Sequence, residues 1–220
     1  MTGGHLRLSP GENRISPSLL KGISMPLWII MIILGVVEGI TEFLPVSSTG
    51  HLILTSHLLG FQGEIAGTFE IAIQGGAILA VVCIYKTDFF HLFFPVQEKR
   101  FSGWNACVCL LLTTLPALCL GYMLRDSIKT YLFHPVSVTL ALLLGGSSLV
   151  VLERIKLPQN KESLDEISFR MAFLIGWWQC IAMWPGMSRS AATIIGGIAL
   201  GLDRKTAAKY SFLAAVPVLL

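Results

Sequence analysis

The chain has 220 residues, of which 54% are hydrophobic and only 13% are charged, and its mean hydropathy is +0.72. This composition is too apolar for an ordinary soluble domain and indicates an integral membrane protein. The net charge of +3 is small and the basic residues are scattered, which argues against a protein that binds nucleic acid.

The first 24 residues are polar and contain two prolines and several glycines. They lack the basic flank, apolar centre and small-residue cleavage site of a signal peptide. We therefore expect residues 1–24 to form a disordered tail and residues 25–220 to form one membrane domain. Met25 is a candidate start of the protein.

Three stretches are apolar over the roughly 20 residues that a transmembrane helix needs. They are residues 66–85, 105–124 and 135–152. A fourth apolar stretch begins near Ala207 and still continues at Leu220. We expect a chain truncated at its C-terminus, with the last helices of the domain missing.

Two further regions are apolar over too short a length to cross a bilayer, and polar residues interrupt them. Residues 26–37 and 51–59 flank the sequence EGITEFLPVSSTGH, and residues 169–184 and 191–202 flank PGMSRS. Irregular backbone at membrane depth is tolerated only where protein or a water-filled cavity satisfies it. We therefore expect two hairpins that enter the membrane and turn back, with both loops facing an internal pocket.

The recurrence of this broken unit indicates an internal repeat. Three predicted crossings separate the two units, so the second unit should be inverted relative to the first. The connections 86–104 and 153–170 together hold seven Lys or Arg, against two in residues 125–134, which favours the cytoplasm for the former pair. The sequence thus predicts an all-α, polytopic membrane protein with inverted-topology repeats and two re-entrant hairpins, the first opening to the outer face.

Glu38 and Glu42 lie four residues apart, so on a helix they share one face. A carboxylate inside a membrane segment is costly unless it is paired, hydrated or bound to a metal. A divalent cation would also relieve the repulsion between the two groups, which predicts a metal site. The alternative is that both face water at an interface. Glu70 and Gln74 form another polar pair of this spacing and could support the two glutamates.

Ser47, Ser48 and Thr49 lead into a short helix. The N–H groups at such a helix start attract anions, phosphate in particular, whereas the alternative is an ordinary serine N-cap. His51 follows Ser48 by three residues and could exchange a proton with its hydroxyl group. The alternative for His51 is a structural histidine.

Arg189 lies between Ser188 and Ser190 at the start of a second short helix. Its guanidinium group matches phosphate oxygens with a fork of donors and stays charged at membrane depth. The alternative is an arginine that extends to the membrane interface. The position of this arginine in the second broken unit favours a functional role.

Three blocks of the sequence, EGITEFLPVSSTGHLIL, FEIAIQGGAILAVV and PGMSRSAATIIGGIALGLDRKTAAKYSFLAAVP, resemble the bacterial undecaprenyl-diphosphatases, also called bacitracin-resistance proteins. The resemblance extends over residues 25–220. It implies an inner-membrane enzyme that converts undecaprenyl diphosphate to undecaprenyl phosphate and inorganic phosphate. This reaction recycles the lipid carrier for peptidoglycan synthesis, confers bacitracin resistance and would take place at the periplasmic face.

The resemblance also implies roles for particular residues. It assigns Glu38 and Glu42 as metal ligands and Glu42, Ser48, His51 and Arg189 as catalytic residues. It assigns the polar, substrate-binding lining to Ser47, Thr49, Ser188 and Ser190. The implied cofactor is a divalent cation, Mg²⁺ or Ca²⁺, and the attacking group is either the serine or a water activated by the histidine.

The implied partners are a polyprenyl diphosphate and the membrane lipids. The oligomeric state is open, with a homodimer as one option. A function of another class also fits the pattern, because secondary transporters use inverted, broken helices with carboxylates at membrane depth. The alternative is therefore a polyprenyl-phosphate transporter or flippase that uses the same pocket.

Overall fold

The computed structural model describes residues 25–61, 63–132, 135–155 and 157–219, and the predicted tail lies outside them. Within these ranges the chain is helical and has no strand, only an isolated bridge between Lys161 and Leu202. The helices are α1 Leu27–Thr41, α2 Ser48–Leu58, α3 Glu64–Ile84, α4 Lys86–Phe93, α5 Gly103–Ser127, α6 Pro135–Arg154, α7 Phe169–Gln179, α8 Arg189–Ala199 and α9 Arg204–Leu219. A π-helical turn, Ile128–Leu132, prolongs α5, and two 3-10 turns, Leu164–Glu166 and Cys180–Met183, flank α7.

Three of these helices are long and apolar enough to cross a membrane: α3, α5 with its π-helical turn, and α6. They confirm the three predicted spans and the prediction of an all-α membrane protein. Between 11% and 22% of their apolar windows is buried within the protein, so most of their surface is free to face lipid. Helix α5 runs past its predicted end at residue 124, because the prediction stopped where the sequence becomes polar and the helix does not.

The two predicted hairpins are present as α1 with α2 and as α7 with α8. Helix α1 has 15 residues and the other three have 11 each. At about 1.5 Å per residue none of them reaches across a hydrocarbon core of about 30 Å. Each pair is in contact, so each unit turns back on itself. Helices α3, α5 and α6 lie between the hairpins, which is the odd number of spans that the predicted inversion requires.

The largest core cluster of the described residues is formed by α5, α7, α8 and α9. Pro116 lies inside α5 and lacks the N–H that would donate within the helix. Gly176 of α7 packs closely against this part of α5. A Cβ atom at Gly176 would lie 2.6 Å from the Thr113 carbonyl oxygen, to which Gln179 Nε2 donates at 3.3 Å. The Tyr210 hydroxyl of α9 lies 2.6 Å from Thr113 Oγ1. These contacts fix α7 and α9 against α5.

Helix α6 packs against both hairpins. At the start of α2, a Cβ atom on Gly50 would lie 3.0 Å from Leu142 of α6. In the second loop, Gly186 has φ +97 and a Cβ atom there would lie 2.6 Å from the Val138 carbonyl oxygen. Only glycine meets both demands at that position. Through α6 the two loops are held next to each other.

The two connections that are rich in Lys and Arg, residues 86–104 and 153–170, meet at one end of the protein; they are called the basic connections below. The Phe101 N–H donates to Asp165 Oδ1 at 2.6 Å, which joins the segment before α5 to the segment before α7. Lys209 Nζ of α9 lies 2.8 Å from Asp88 Oδ1 of α4, a short helix that the sequence analysis did not predict. Both connections therefore lie on the same face, as predicted, and the assignment of this face to the cytoplasm stays a prediction.

Candidate active site

The first hairpin places its polar residues where α1 ends and α2 begins. The Glu42 N–H donates to the Glu38 carbonyl at 2.9 Å as α1 ends, and Pro45 follows in the turn. Ser47 has φ +66, and its hydroxyl oxygen accepts from the Gly50 N–H at 3.4 Å. Ser47 is therefore the N-cap of α2, and the remaining N–H groups of the first turn have no partner within the helix.

The second hairpin builds its loop in the same way. Gly186 turns the chain after Pro185, and Ser188 is the N-cap of α8, accepting from the Ala191 N–H at 3.2 Å. The hydroxyl oxygens of Ser188 and Ser190 lie 2.9 Å apart. Each hairpin thus presents a helix N-terminus capped by a serine, which is an environment that favours an anion.

An ion pair joins the two loops. Arg189 Nη2 lies 2.7 Å from Glu42 Oε1, and Arg189 Nη1 donates to the Ser211 carbonyl of α9 at 3.2 Å. A second link is the Ser190 hydroxyl, which donates to the Leu44 carbonyl at 3.3 Å. The structure therefore brings the polar residues of the two hairpins together at one place.

The ion pair is largely buried. The exposed fraction is 15% for the Arg189 side chain and 12% for Glu42. The Ser48 hydroxyl donates to the other carboxylate oxygen of Glu42, so a guanidinium and a hydroxyl both contact one carboxylate. Removing one member of such a pair leaves a buried charge without compensation, which costs about 3–5 kcal/mol.

A cavity of about 110 Å³ lies beside this pair, large enough for several water molecules. Seven of the nine predicted site residues line it. These are Glu42, Ser47, Ser48, Thr49, Ser188, Arg189 and Ser190. Glu38 and His51 are not among the lining residues.

Glu38 is buried without a partner. Its exposed fraction is 1%, and neither carboxylate oxygen has a hydrogen bond in the described part of the chain. Carboxylate oxygens are suitable ligands for Mg²⁺ or Ca²⁺. No group of three or more His, Cys, Asp or Glu that could hold a metal occurs within the described ranges. The unpartnered Glu38 oxygens therefore fit a cation of that kind, whereas both Glu42 oxygens already contact Arg189 or Ser48 and would have to exchange a partner to join them.

His51 lies outside the cavity lining and is exposed. Its Nδ1 lies 2.9 Å from the Ser47 carbonyl oxygen. The group that contacts the Ser48 hydroxyl is Glu42. Sequence spacing suggested that His51 and Ser48 share a helical turn, but the structure pairs the serine with a residue six positions earlier.

The cavity is also lined by two residues that the sequence does not predict as site residues. Thr41 of α1 and Gln74 of α3 both line it. The sequence pattern predicts Gln74 only as support for the glutamates, although an amide within an apolar span by itself indicates a polar contact. Its neighbour in the pattern, Glu70, accepts from the Ser56 hydroxyl at 3.5 Å. The contact from Ser211 could not be foreseen, because a backbone carbonyl carries no sequence signal.

These features define a class of protein. Two short hairpins in a helical membrane protein enclose a carboxylate, a guanidinium group and two helix N-termini. These groups are typical of a protein that binds a phosphorylated lipid or another anion.

Comparison with known proteins identifies the family. Residues 31–220 match the family described as Bacitracin resistance protein BacA. The chain is 54% identical over 187 residues to the undecaprenyl-diphosphatase of Maridesulfovibrio salexigens, with 85% of this chain and 71% of that protein aligned. It is 52% identical over 188 residues to the undecaprenyl-diphosphatase of Desulfovibrio desulfuricans, with 86% of this chain and 71% of that protein aligned. The chain belongs to the BacA family.

Proposed function

We propose that this protein hydrolyses undecaprenyl diphosphate to undecaprenyl phosphate and inorganic phosphate. Its relatives carry the name undecaprenyl-diphosphatase. The structural observation that carries the proposal is the contact of 2.7 Å between Arg189 and Glu42, because it joins an anion-binding group to a carboxylate beside a polar cavity.

The diphosphate group is bound by Arg189 and by the N-termini of α2 and α8. The guanidinium donates to phosphate oxygens and offsets the charge that develops on them during transfer. Ser47 and Ser188 hold the first turns of the two helices in place as N-caps. The polyprenyl tail remains in the lipid, so the protein needs to bind only the head group.

Ser48 is the proposed nucleophile. Its Oγ attacks the terminal phosphorus, the bond from that phosphorus to the bridging oxygen breaks, and undecaprenyl phosphate leaves with that oxygen. The hydroxyl proton passes to Glu42, the carboxylate to which Ser48 already donates. Water then cleaves the phosphoserine, which restores the hydroxyl and releases phosphate. Glu42 replaces His51 in this role because the ring of His51 contacts a backbone carbonyl and not Ser48.

Glu38 and Glu42 would hold the proposed divalent cation, Mg²⁺ or Ca²⁺. When bound, such an ion neutralises negative charge on the phosphate groups. The unpartnered, buried carboxylate of Glu38 supports this role, since it otherwise remains unsatisfied at membrane depth.

We place the site near the outer face of the bacterial inner membrane. The two basic connections share the face at which α3 ends, and basic connections favour the cytoplasm. The first hairpin joins α3 at its other end, so it enters from the opposite, periplasmic side. There the reaction would return the lipid carrier to peptidoglycan synthesis and confer bacitracin resistance.

The test uses the full chain in detergent with undecaprenyl diphosphate as substrate. We expect phosphate release that stops on chelation of divalent cations and falls by about 10²-fold or more, but stays measurable, in Glu42→Gln and Arg189→Ala. The matched control is Glu98→Gln, an exposed residue of the basic face that should retain full activity. The paired, broken helices and the carboxylates also fit a lipid transporter. Binding of the lipid without phosphate release would support the transporter and reject the phosphatase.

A further inference from the structure

A second cavity, of about 280 Å³, lies where the two basic connections meet. Helix α4, the loop before α5, the segment before α7 and the first turns of α9 form its walls. None of its lining residues lines the cavity beside Glu42 and Arg189. It is a separate site that the proposed reaction does not use.

Part of the charge in this cavity is already engaged. Lys209 pairs with Asp88 at 2.8 Å and also lies 5.8 Å from the centre of the Tyr85 ring. Asp165 accepts from the Phe101 N–H at 2.6 Å, which ties the two connections together. These contacts build the walls of the cavity and hold its shape.

Three charged side chains of the lining have no ion pair in direct contact. Lys99, Lys205 and Glu162 are exposed, and none of them forms an ion pair within 4 Å of another described residue, although the charge of Lys205 helps to lower the pKa of Asp203. The cavity therefore offers two ammonium groups and one carboxylate to a ligand. A ligand that complements this lining carries both a phosphate-like anion and a cation.

Helix α4 places this cavity at the edge of the membrane. It follows the apolar span of α3 directly, and it contributes Asp88 and His91 to the cavity. Beside them α4 exposes Phe90 and Phe93, and Phe94 follows at its C-cap, with exposed fractions of 57%, 77% and 60%. A short helix with one polar and one aromatic face is typical of the boundary between head groups and hydrocarbon.

We propose that this cavity binds the head group of a zwitterionic phospholipid that carries a phosphate and a primary ammonium group, as phosphatidylethanolamine does. Lys99 and Lys205 bind the phosphate, and Glu162 accepts hydrogen bonds from the ammonium group. The acyl chains lie along the phenylalanine side chains of α4. A quaternary ammonium lacks the N–H donors that Glu162 requires, and a glycerol head group lacks the positive charge.

The test is lipid retention by the full chain in native mass spectrometry, with phosphatidylethanolamine, phosphatidylcholine and phosphatidylglycerol supplied in equal amounts. We expect the ethanolamine lipid to be retained most. Lys99→Gln and Lys205→Gln should each weaken its retention about fivefold, the usual effect of one lysine near a lipid surface. Glu162→Gln should abolish the preference for ethanolamine over glycerol while retention of the glycerol lipid is kept.

The control is Lys129→Gln, an exposed lysine of the π-helical turn far along the chain from this cavity, which should retain lipid like the unaltered protein. Equal retention of the three lipids, or an equal loss in Lys129→Gln, would overturn the proposal. Thermal stabilisation by inorganic phosphate alone, equal to that by the ethanolamine lipid, would also overturn it in favour of a simple anion site. No readout uses phosphatase activity, so failure here is distinct from failure of the proposed function.

Discussion

Replacing Arg189 by lysine tests whether the geometry of the guanidinium, and not only its charge, serves the site. Arg189 uses two nitrogens in different directions, one 2.7 Å from Glu42 and the other 3.2 Å from the Ser211 carbonyl. A lysine ammonium is a single point charge and cannot reach both partners in this way. Arg189→Lys should therefore keep the positive charge but lose the fixed orientation of the donors.

The expected effect is large. Removing one preorganised donor from a site that stabilises developing charge lowers the rate by about 10²- to 10³-fold. We expect kcat/KM for undecaprenyl diphosphate to fall by that factor in Arg189→Lys. The matched control is Arg204→Lys at the exposed start of α9, where kcat/KM should change by less than about twofold because Arg204 does not line the cavity and a surface substitution alters folding stability by only about 0.5 kcal/mol.

A double-mutant cycle with Glu42→Gln measures the coupling between the two residues. Because they contact each other, the loss in the double variant should be smaller than the product of the two single losses. Neighbouring residues of this kind show interaction energies of about 0.5–3 kcal/mol. The assay is phosphate release in detergent at saturating and limiting lipid, which separates kcat from KM.

Two results would refute this reasoning. One is an Arg189→Lys variant with kcat/KM near that of the unaltered protein, since charge alone would then suffice. The other is a double variant whose loss equals the product of the single losses. That outcome would mean that Glu42 and Arg189 act independently, despite their contact in the structure.

Three more predictions concern the cation, the core and pH. Glu38→Gln should raise the divalent cation concentration for half-maximal activity at least about tenfold, and an unchanged cation titration contradicts the assigned ligand. Gly176→Ala should destabilise the protein by about 1–3 kcal/mol in thermal unfolding, because the new Cβ meets a backbone carbonyl at 2.6 Å, whereas Gly146→Ala, with open space around it, should not. Hydrogen bonding from Thr206 holds the pKa of Asp203 below its ordinary value. The difference in unfolding free energy between the unaltered protein and Asp203→Ala should therefore be constant above about pH 5 and decline as the pH falls through the lowered pKa. A difference that grows in acid would contradict this sign.

Much of the fold follows from the lengths of the apolar stretches. Spans α3, α5 and α6 were predictable because a continuous stretch of about 20 apolar residues matches the length of a helix that crosses the hydrocarbon core. The hairpins were predictable because residues 26–37 and 191–202 are too short to cross, and because polar loops at that depth require a cavity. Helix α4 was missed because eight residues with mixed polarity give too weak a pattern.

The candidate site was predictable as a set of residues but not as a set of contacts. Residue type and the repeat placed Glu42 and Arg189 in equivalent loops, and the structure brings them together. Sequence spacing favoured Ser48 with His51, because positions three apart share a helical turn. That reasoning treats Ser48 as lying in a regular helix, whereas it lies at the first position of α2, where its hydroxyl can turn back to Glu42 in the preceding loop.

The ion pair also suggests why both hairpins carry polar residues at membrane depth. In an isolated first hairpin the Glu42 carboxylate would have only the Ser48 hydroxyl as a partner, and in an isolated second hairpin the Arg189 guanidinium would have no counter-charge. Each would cost several kcal/mol in hydrocarbon. Once the hairpins meet, each charge compensates the other, and the Ser190 hydroxyl of the second loop donates to the Leu44 carbonyl of the first. The ion pair and the Ser190 hydrogen bond therefore favour assembly of the two repeats together with closure of the site.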